Sequence, residues 1–322
     1  MRSSIEGRLL IANWCLVAAA ALGLLTSLTM TNFVVALSDP FGYFMIFLAS
    51  MLGAFSLILL CQGSARWPNL SHAATVLSQL LFATMLSGPL VYIAASANYP
   101  FQDKNLYAID HFLGLEWKSW LYVVNEYKLG GISKFFYRTI LGQPLLIPIA
   151  LCLTGHVVRC YQFVFAILIA VAITGIISIF LPATGTYTFL GLTPADYPNL
   201  HPSDDFGHIS DLLLLRSGEL RMLNLADFKG IVTFPSFHTA AAVLYLWALW
   251  AIKWLRPIVV VCNGGLILAT PMDGGHYFID VFAGILLAIL CIWAVRAMVR
   301  AFERDLAATL AIPASVVARP RV

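Results

Sequence analysis

Charge is what this sequence has least of. Only 11% of its 322 residues are charged, 60% are hydrophobic and the mean hydropathy is +0.85, whereas soluble domains carry roughly 25% charged residues. The polar shell of a soluble globule cannot be built from this stock, so that class is excluded. Internal repeats, low-complexity tracts and polar linkers are also lacking, and residues 1–322 are expected to form a single membrane domain. The six cysteines (Cys15, Cys61, Cys152, Cys160, Cys262 and Cys291) lie in or beside apolar runs at irregular spacing. That spacing fits neither a metal knuckle nor a secreted disulfide framework, and they read as small buried hydrophobes. A net charge of +3 is too small to call for a nucleic-acid partner, and a membrane protein's cytoplasmic loops account for it.

What is present is length in apolar runs. A hydrocarbon core about 30 Å thick needs roughly 20 apolar residues in a helix. Eight stretches are candidates: Leu9–Met30, Phe41–Cys61, Ala74–Ser96, Thr139–Gly155, Tyr161–Leu181, Pro235–Leu255, Pro257–Met272 and Tyr277–Val299. The fourth and seventh are the short ones. The expected fold is therefore all-α, a polytopic transmembrane bundle. Arg2 and Arg8 precede the first run, but it is longer than a signal-peptide core and lacks a clear small-residue cleavage site, so it is expected to be a retained helix.

Eight spans put both termini on one side. Arg2, Arg8, Arg66, Arg159, Lys253, Arg256, Arg296, Arg300 and Arg304 all fall to the set of connections that includes the termini. The opposite set holds a nearly charge-free first connection and two long segments, Ala97–Arg138 and Pro182–Phe234, in which acids balance bases. By the positive-inside rule the termini are cytoplasmic and the long segments extracytoplasmic, in a cell membrane. Within the first long segment, Asp110–Trp120 has the spacing of an amphipathic helix, either lying in the interface or capping the bundle. In the second, turn residues followed by Leu212–Leu215 predict a loop with one small helix.

Ionisable residues at the mouths of membrane helices are costly to place and need an account. Gly230-Ile-Val-Thr-Phe-Pro-Ser-Phe-His238-Thr239 opens the sixth candidate span; Pro235 suits a helix start, and free N–H groups in that first turn favour an anion beside His238. Pro271-Met-Asp-Gly-Gly-His276-Tyr-Phe-Ile-Asp280-Val opens the eighth. Four positions apart, His276 and Asp280 would share a helix face, the carboxylate fixing the imidazole tautomer and leaving the other nitrogen free to attack. A lone histidine at a helix start is more often structural or interfacial. Two histidines and a helix-spaced aspartate, all brought to one membrane face, point instead to a site. His201, Asp204, Asp205 and His208 offer donors that could hold a divalent ion, but a polar loop beside a membrane explains them as well, and no metal is assigned.

Phe234-Pro-Ser-Phe-His238-Thr239 followed by His276-Tyr-Phe-Ile-Asp280-Val-Phe-Ala-Gly284 resembles the type-2 phosphatidic acid phosphatase superfamily, and within it the branch of inositol phosphorylceramide synthases and their bacterial relatives. Asp110-His-Phe-Leu-Gly-Leu-Glu-Trp117 and Phe180-Leu-Pro-Ala-Thr-Gly-Thr-Tyr187 resemble the same branch, so the likeness spans residues 100–295, the expected catalytic region. The resemblance implies that His276 attacks phosphorus, Asp280 orients it and His238 protonates the leaving oxygen, with no metal or other cofactor. Two features depart from the family: Ala269 and Thr270 stand where a Ser-Arg pair is usual, and a Lys…Arg-Pro first motif is missing. Ser236 and Gly275 are expected to touch the substrate from within the two motifs. Lys229, Arg221 and Arg216, or Lys134 and Arg138, are candidates for meeting the phosphate's charge.

The expected activity is phosphoryl transfer on a phosphorylated membrane lipid, either to water or to a lipid or sugar hydroxyl. A transporter or scaffold whose histidines bind protons or phosphate is the alternative, against which the absence of repeated halves argues. The sequence leaves the oligomeric state open.

Overall fold

The computed structural model describes residues 4–36, 40–61, 68–202 and 207–310. It is helical almost throughout, and among the described residues seven helices are long and apolar enough to cross a membrane. They are α1 (Ile5–Met30), α2 (Pro40–Cys61), α3 (Pro68–Ala95), α6 (Gly130–Leu153), α7 (Val157–Phe180), α11 (Arg256–Asp273) and α12 (Phe278–Leu310). Between them lie α4 (Asp103–Phe112), α5 (Trp117–Glu126), α8 (Thr186–Phe189), α9 (Gly207–Ser217) and α10 (Phe237–Leu249).

The span count corrects the sequence reading in an instructive place. The two runs that looked short are long helices, 24 residues in α6 and 18 in α11. The sixth candidate is the deficient one: α10 has 13 residues, a rise of about 20 Å against a core of about 30 Å. Trp250 ends it, and a 3-10 turn, Lys253–Leu255, leads directly into α11. The Asp110–Trp120 stretch is likewise not one helix. Gly114, at φ +73°, turns the chain between α4 and α5, and each helix is separately amphipathic. An unanticipated parallel pair of strands, β1 (Val34–Ala36) and β2 (Met222–Asn224), ties the end of α1 to the second long segment.

α10 forms the middle of the bundle, packed against α6, α7, α11 and α12. Ala240, Ala241, Ala242, Leu244 and Ala248 are fully buried there beside Phe163, Val164, Ala166 and Ala170 of α7. In lipid the hydrophobic effect gives little preference for helix–helix over helix–lipid contact, so close backbone approach between small residues supplies the packing. Large apolar side chains on α2, α6 and α12, such as Phe47, Leu141 and Trp293, face outward. Cys152, Cys160 and Cys291 are buried and Cys262 partly so, as expected, but Cys15 is exposed on α1; the Cys61 side chain lies outside the described residues. Arg8 pairs with Asp305, so the start of α1 and the last turns of α12 share one end of the bundle. The start of α12, with everything described next, is at the other.

Candidate active site

His238 occupies the first turn of α10. Ser236 precedes that helix, its hydroxyl accepting from the Thr239 N–H at 3.3 Å, which satisfies one of the orphan donors of a helix start. Pro235 therefore lies ahead of the helix rather than in its first position. Ser236 is fully buried, and its own N–H donates to the Asp280 carbonyl at 3.1 Å. The starts of α10 and α12 are thus stitched together behind the histidines.

His276 is not on a helix, contrary to the spacing argument. It stands in the turn between α11 and α12, two residues before Phe278, while Asp280 lies in the first turn of α12. The two meet all the same, with Nδ1 of His276 3.2 Å from Oδ2 of Asp280. That oxygen also accepts the Tyr277 N–H at 2.9 Å, half of a capping arrangement that folds the turn back over the helix start. With Nδ1 on the carboxylate, the contact with the Thr233 backbone falls to Nε2, the ring nitrogen that a substrate would have to engage in its place. Burial removes the ring from water and lowers its pKa to about 4; a hydrogen bond with the Thr233 backbone opposes this, and His208 adds to it. The imidazole is neutral at ordinary pH, the form a nucleophile needs.

His238 and His276 face each other across a cavity of about 300 Å³, with ring centroids 6.2 Å apart. Tyr137 of α6 stacks on His238 at 4.4 Å and 13°. Thr184, Gly185, Tyr187, Gly275, His208 and Lys229 contribute further wall. Gly185 and Gly275 adopt φ of +87° and +61°, and a Cβ on Gly185 would stand 2.9 Å from the Gly275 carbonyl; both positions require glycine. That carbonyl accepts from the N–H and hydroxyl of Thr186 at 2.9 and 3.1 Å.

The candidate anion-binding residues separate clearly. Lys229 and Gly275 line the cavity. Nζ of Lys229 donates to Asp211 Oδ1 and the Gly207 carbonyl, each at 3.2 Å, and Tyr92 bridges Asp211 to the Lys229 N–H. Arg216 lies elsewhere, stacked on Phe101 at 4.1 Å and donating to the Tyr99 carbonyl, and Arg221 covers Phe33 at 4.4 Å. Lys134 donates to the His201 carbonyl. Ser236 stands behind the wall. Thr270 is buried with its hydroxyl on the Leu266 carbonyl, and Ala269 is buried beside it, so neither substitutes for the missing Ser-Arg pair. Of the possible metal donors, Asp204 and Asp205 lie outside the described residues and His208 faces the cavity.

Three residues that sequence reasoning did not assign hold the His276 turn from outside. Asp110 accepts the Phe278 and Ile279 N–H groups at 2.7 and 2.8 Å. Trp117 donates its indole N–H to the His276 carbonyl at 3.1 Å. Asp103 accepts from the Tyr277 hydroxyl at 2.8 Å and from the Thr184 and Gly185 N–H groups. The available signal was the pair of weaker motifs: both Asp110–Trp117 and Phe180–Tyr187 converge on this turn.

Gly284 sets the distance between the two halves. A Cβ there would lie 2.4 Å from the Ser236 carbonyl and 3.0 Å from the Thr239 Cβ, neither of which is a flexible chain end. Gly284→Ala is expected to force α12 away from α10, costing about 1–3 kcal/mol in stability and lowering turnover as His238 and Asp280 separate. Gly264→Ala, where nothing lies within 4 Å, is the control. Thermal unfolding in detergent and turnover of the two variants check this; equal behaviour of both would contradict it.

No curated protein and no solved structure matches the chain. The model of the PAP2 superfamily matches residues 104–294, more than half of the sequence, and that stretch carries Tyr137, Lys229, His238, His276 and Asp280. Paired histidines at one mouth of an apolar bundle and this match lead to the same place: the chain belongs to the PAP2 superfamily of phosphatase-type lipid enzymes.

Proposed function

We propose that this membrane enzyme transfers a phosphoryl headgroup between amphiphiles through a phosphohistidine on His276, in the manner of the inositol phosphorylceramide synthase branch. The observation that carries the reading is the facing pair: a neutral, carboxylate-held His276 and a second histidine 6.2 Å away across a cavity. Nε2 of His276 attacks phosphorus and the bond to the lipid oxygen breaks. His238 gives that oxygen its proton, while Asp280 supports the charge developing on the imidazole. In the second half an acceptor hydroxyl returns a proton to His238 and takes the phosphoryl group, freeing His276. The substrate is a phosphorylated lipid, because about 300 Å³ admits a headgroup phosphate, while acyl chains stay in the surrounding membrane lipids. Lys229 meets the phosphate's charge; among the described residues it is the lysine or arginine on the cavity wall. No metal takes part in this scheme.

Labelled phospholipids offered with and without diacylglycerol or ceramide test the reaction. A new labelled phospholipid is the expected product. Release of phosphate alone would make the enzyme a hydrolase working through the same first half, and no turnover on any phosphorylated lipid would contradict the enzymatic reading.

The active site belongs at the extracytoplasmic face, with both termini in the cytoplasm. The Lys/Arg distribution supports this: Arg159 and Arg296, over Trp247, and Arg256, over Trp250, gather at the end of the bundle away from the site, and basic residues favour the cytoplasmic side whereas tryptophan suits either interface. An impermeant thiol reagent on intact cells should label a cysteine introduced at Asn199 and spare one introduced at Arg304. The reverse pattern would turn the site toward the cytoplasm.

A further inference from the structure

We propose that Asp110 is a positioning residue for the nucleophile: from α4 it fixes the backbone of the turn that carries His276. This rests on the reading of His276 as the attacking group. A helix leaves its first N–H groups without partners, and the residue before α12 is usually expected to supply a short polar side chain for them. Here that residue is Tyr277, whose hydroxyl runs instead to Asp103. The local cap is partial, since Asp280 takes only the Tyr277 N–H, and the acceptor for the next two N–H groups comes from 168 residues away. Both oxygens of Asp110 are engaged, one on Phe278 N–H and one on Ile279 N–H, and the side chain is 1% exposed. A carboxylate at a helix N-terminus is also favoured by the helix dipole.

Asp103 and Asp110 of α4 and Trp117 of α5 together grip residues 276–279. Trp117, 1% exposed, holds the His276 carbonyl; Asp103 holds the Tyr277 ring; Asp110 holds the next two N–H groups. What this leaves to move is the His276 imidazole, and Asp280 holds that. None of the three gripping residues lines the cavity, so their effect on chemistry passes through the turn. Displacing a reacting group by about 1 Å costs on the order of 10²-fold in rate.

Rapid quench of the full-length enzyme in lipid, with a labelled phospholipid, separates positioning from general support of the fold. With acceptor withheld, so that breakdown of the phosphoenzyme is slow, the labelling amplitude counts competent sites and its rate constant measures how well His276 is aimed. Asp110→Asn keeps one acceptor oxygen and sets an amide against the second N–H. It is expected to leave amplitude within about twofold of the parent while the rate constant falls 10- to 100-fold, with KM little changed. Asp110→Glu should recover part of the rate, and Trp117→Phe, which removes one donor only, should give a smaller loss of the same kind. An unchanged rate constant in Asp110→Asn, whether or not amplitude drops, would overturn the positioning role. A parent enzyme that turns over without any label on His276 would contradict the nucleophile itself, and the proposal with it.

Discussion

His276→Ala should abolish turnover on every phosphorylated substrate, lipid or soluble, by on the order of 10⁶-fold, the scale seen when a covalent nucleophile is removed from a hydrolase. The size follows from the mechanism. Without the imidazole no phosphoenzyme can form, and the remaining cavity offers binding, Lys229 and His238 but no nucleophile. The substitution is also structurally mild. The His276 backbone is held by Trp117 through its carbonyl, a bond that alanine retains, so the variant should fold, and its thermal unfolding should stay near the parent's. A loss of only tenfold would assign the ring a supporting role.

The second large effect distinguishes the other histidine. A general acid contributes about 10²–10⁴-fold when the departing oxygen is basic, and little when it leaves as a stable anion. His238→Ala should therefore lose two to four orders of magnitude on a lipid phosphate and far less on an aryl phosphate. Asp280→Asn should slow both classes alike, because it disturbs the orientation and charge of His276 whatever leaves. The quantity to measure is the ratio of variant to parent rates on the two substrate classes. Equal losses on both for His238→Ala would remove it as the acid. Tyr137, stacked flat on His238, restricts the tilt of that ring.

Much of this was legible in the sequence because membranes demand it. Apolar length marked every crossing, since a backbone in lipid must satisfy its hydrogen bonds as helix. His238, His276 and Asp280 stood out because ionisable groups are rare at such positions. The misreadings share one cause, which is that local pattern does not report tertiary contact. The sixth span looked complete because Trp250–Leu255 is apolar enough to extend it, yet the chain breaks after Leu249 to enter α11. His276 was placed on a helix by its spacing to Asp280, whereas a turn capped in part by Asp280 itself brings the two together. Arg216 and Arg221 were plausible phosphate ligands by proximity in sequence, but Phe101 and Phe33 engage them. The weaker motif that begins at Asp110 marks the residue, but its role as the cap of α12 is not legible, because no local pattern reports a contact 168 residues long.

The measurement closest to the central claim is the identity of the trapped intermediate. Parent enzyme quenched during turnover of a labelled phospholipid should carry a base-stable, acid-labile label on the peptide containing His276, lost when the acceptor hydroxyl is added before the quench. Label on another residue, label surviving in His276→Ala, or full turnover with no labelled enzyme would contradict the account.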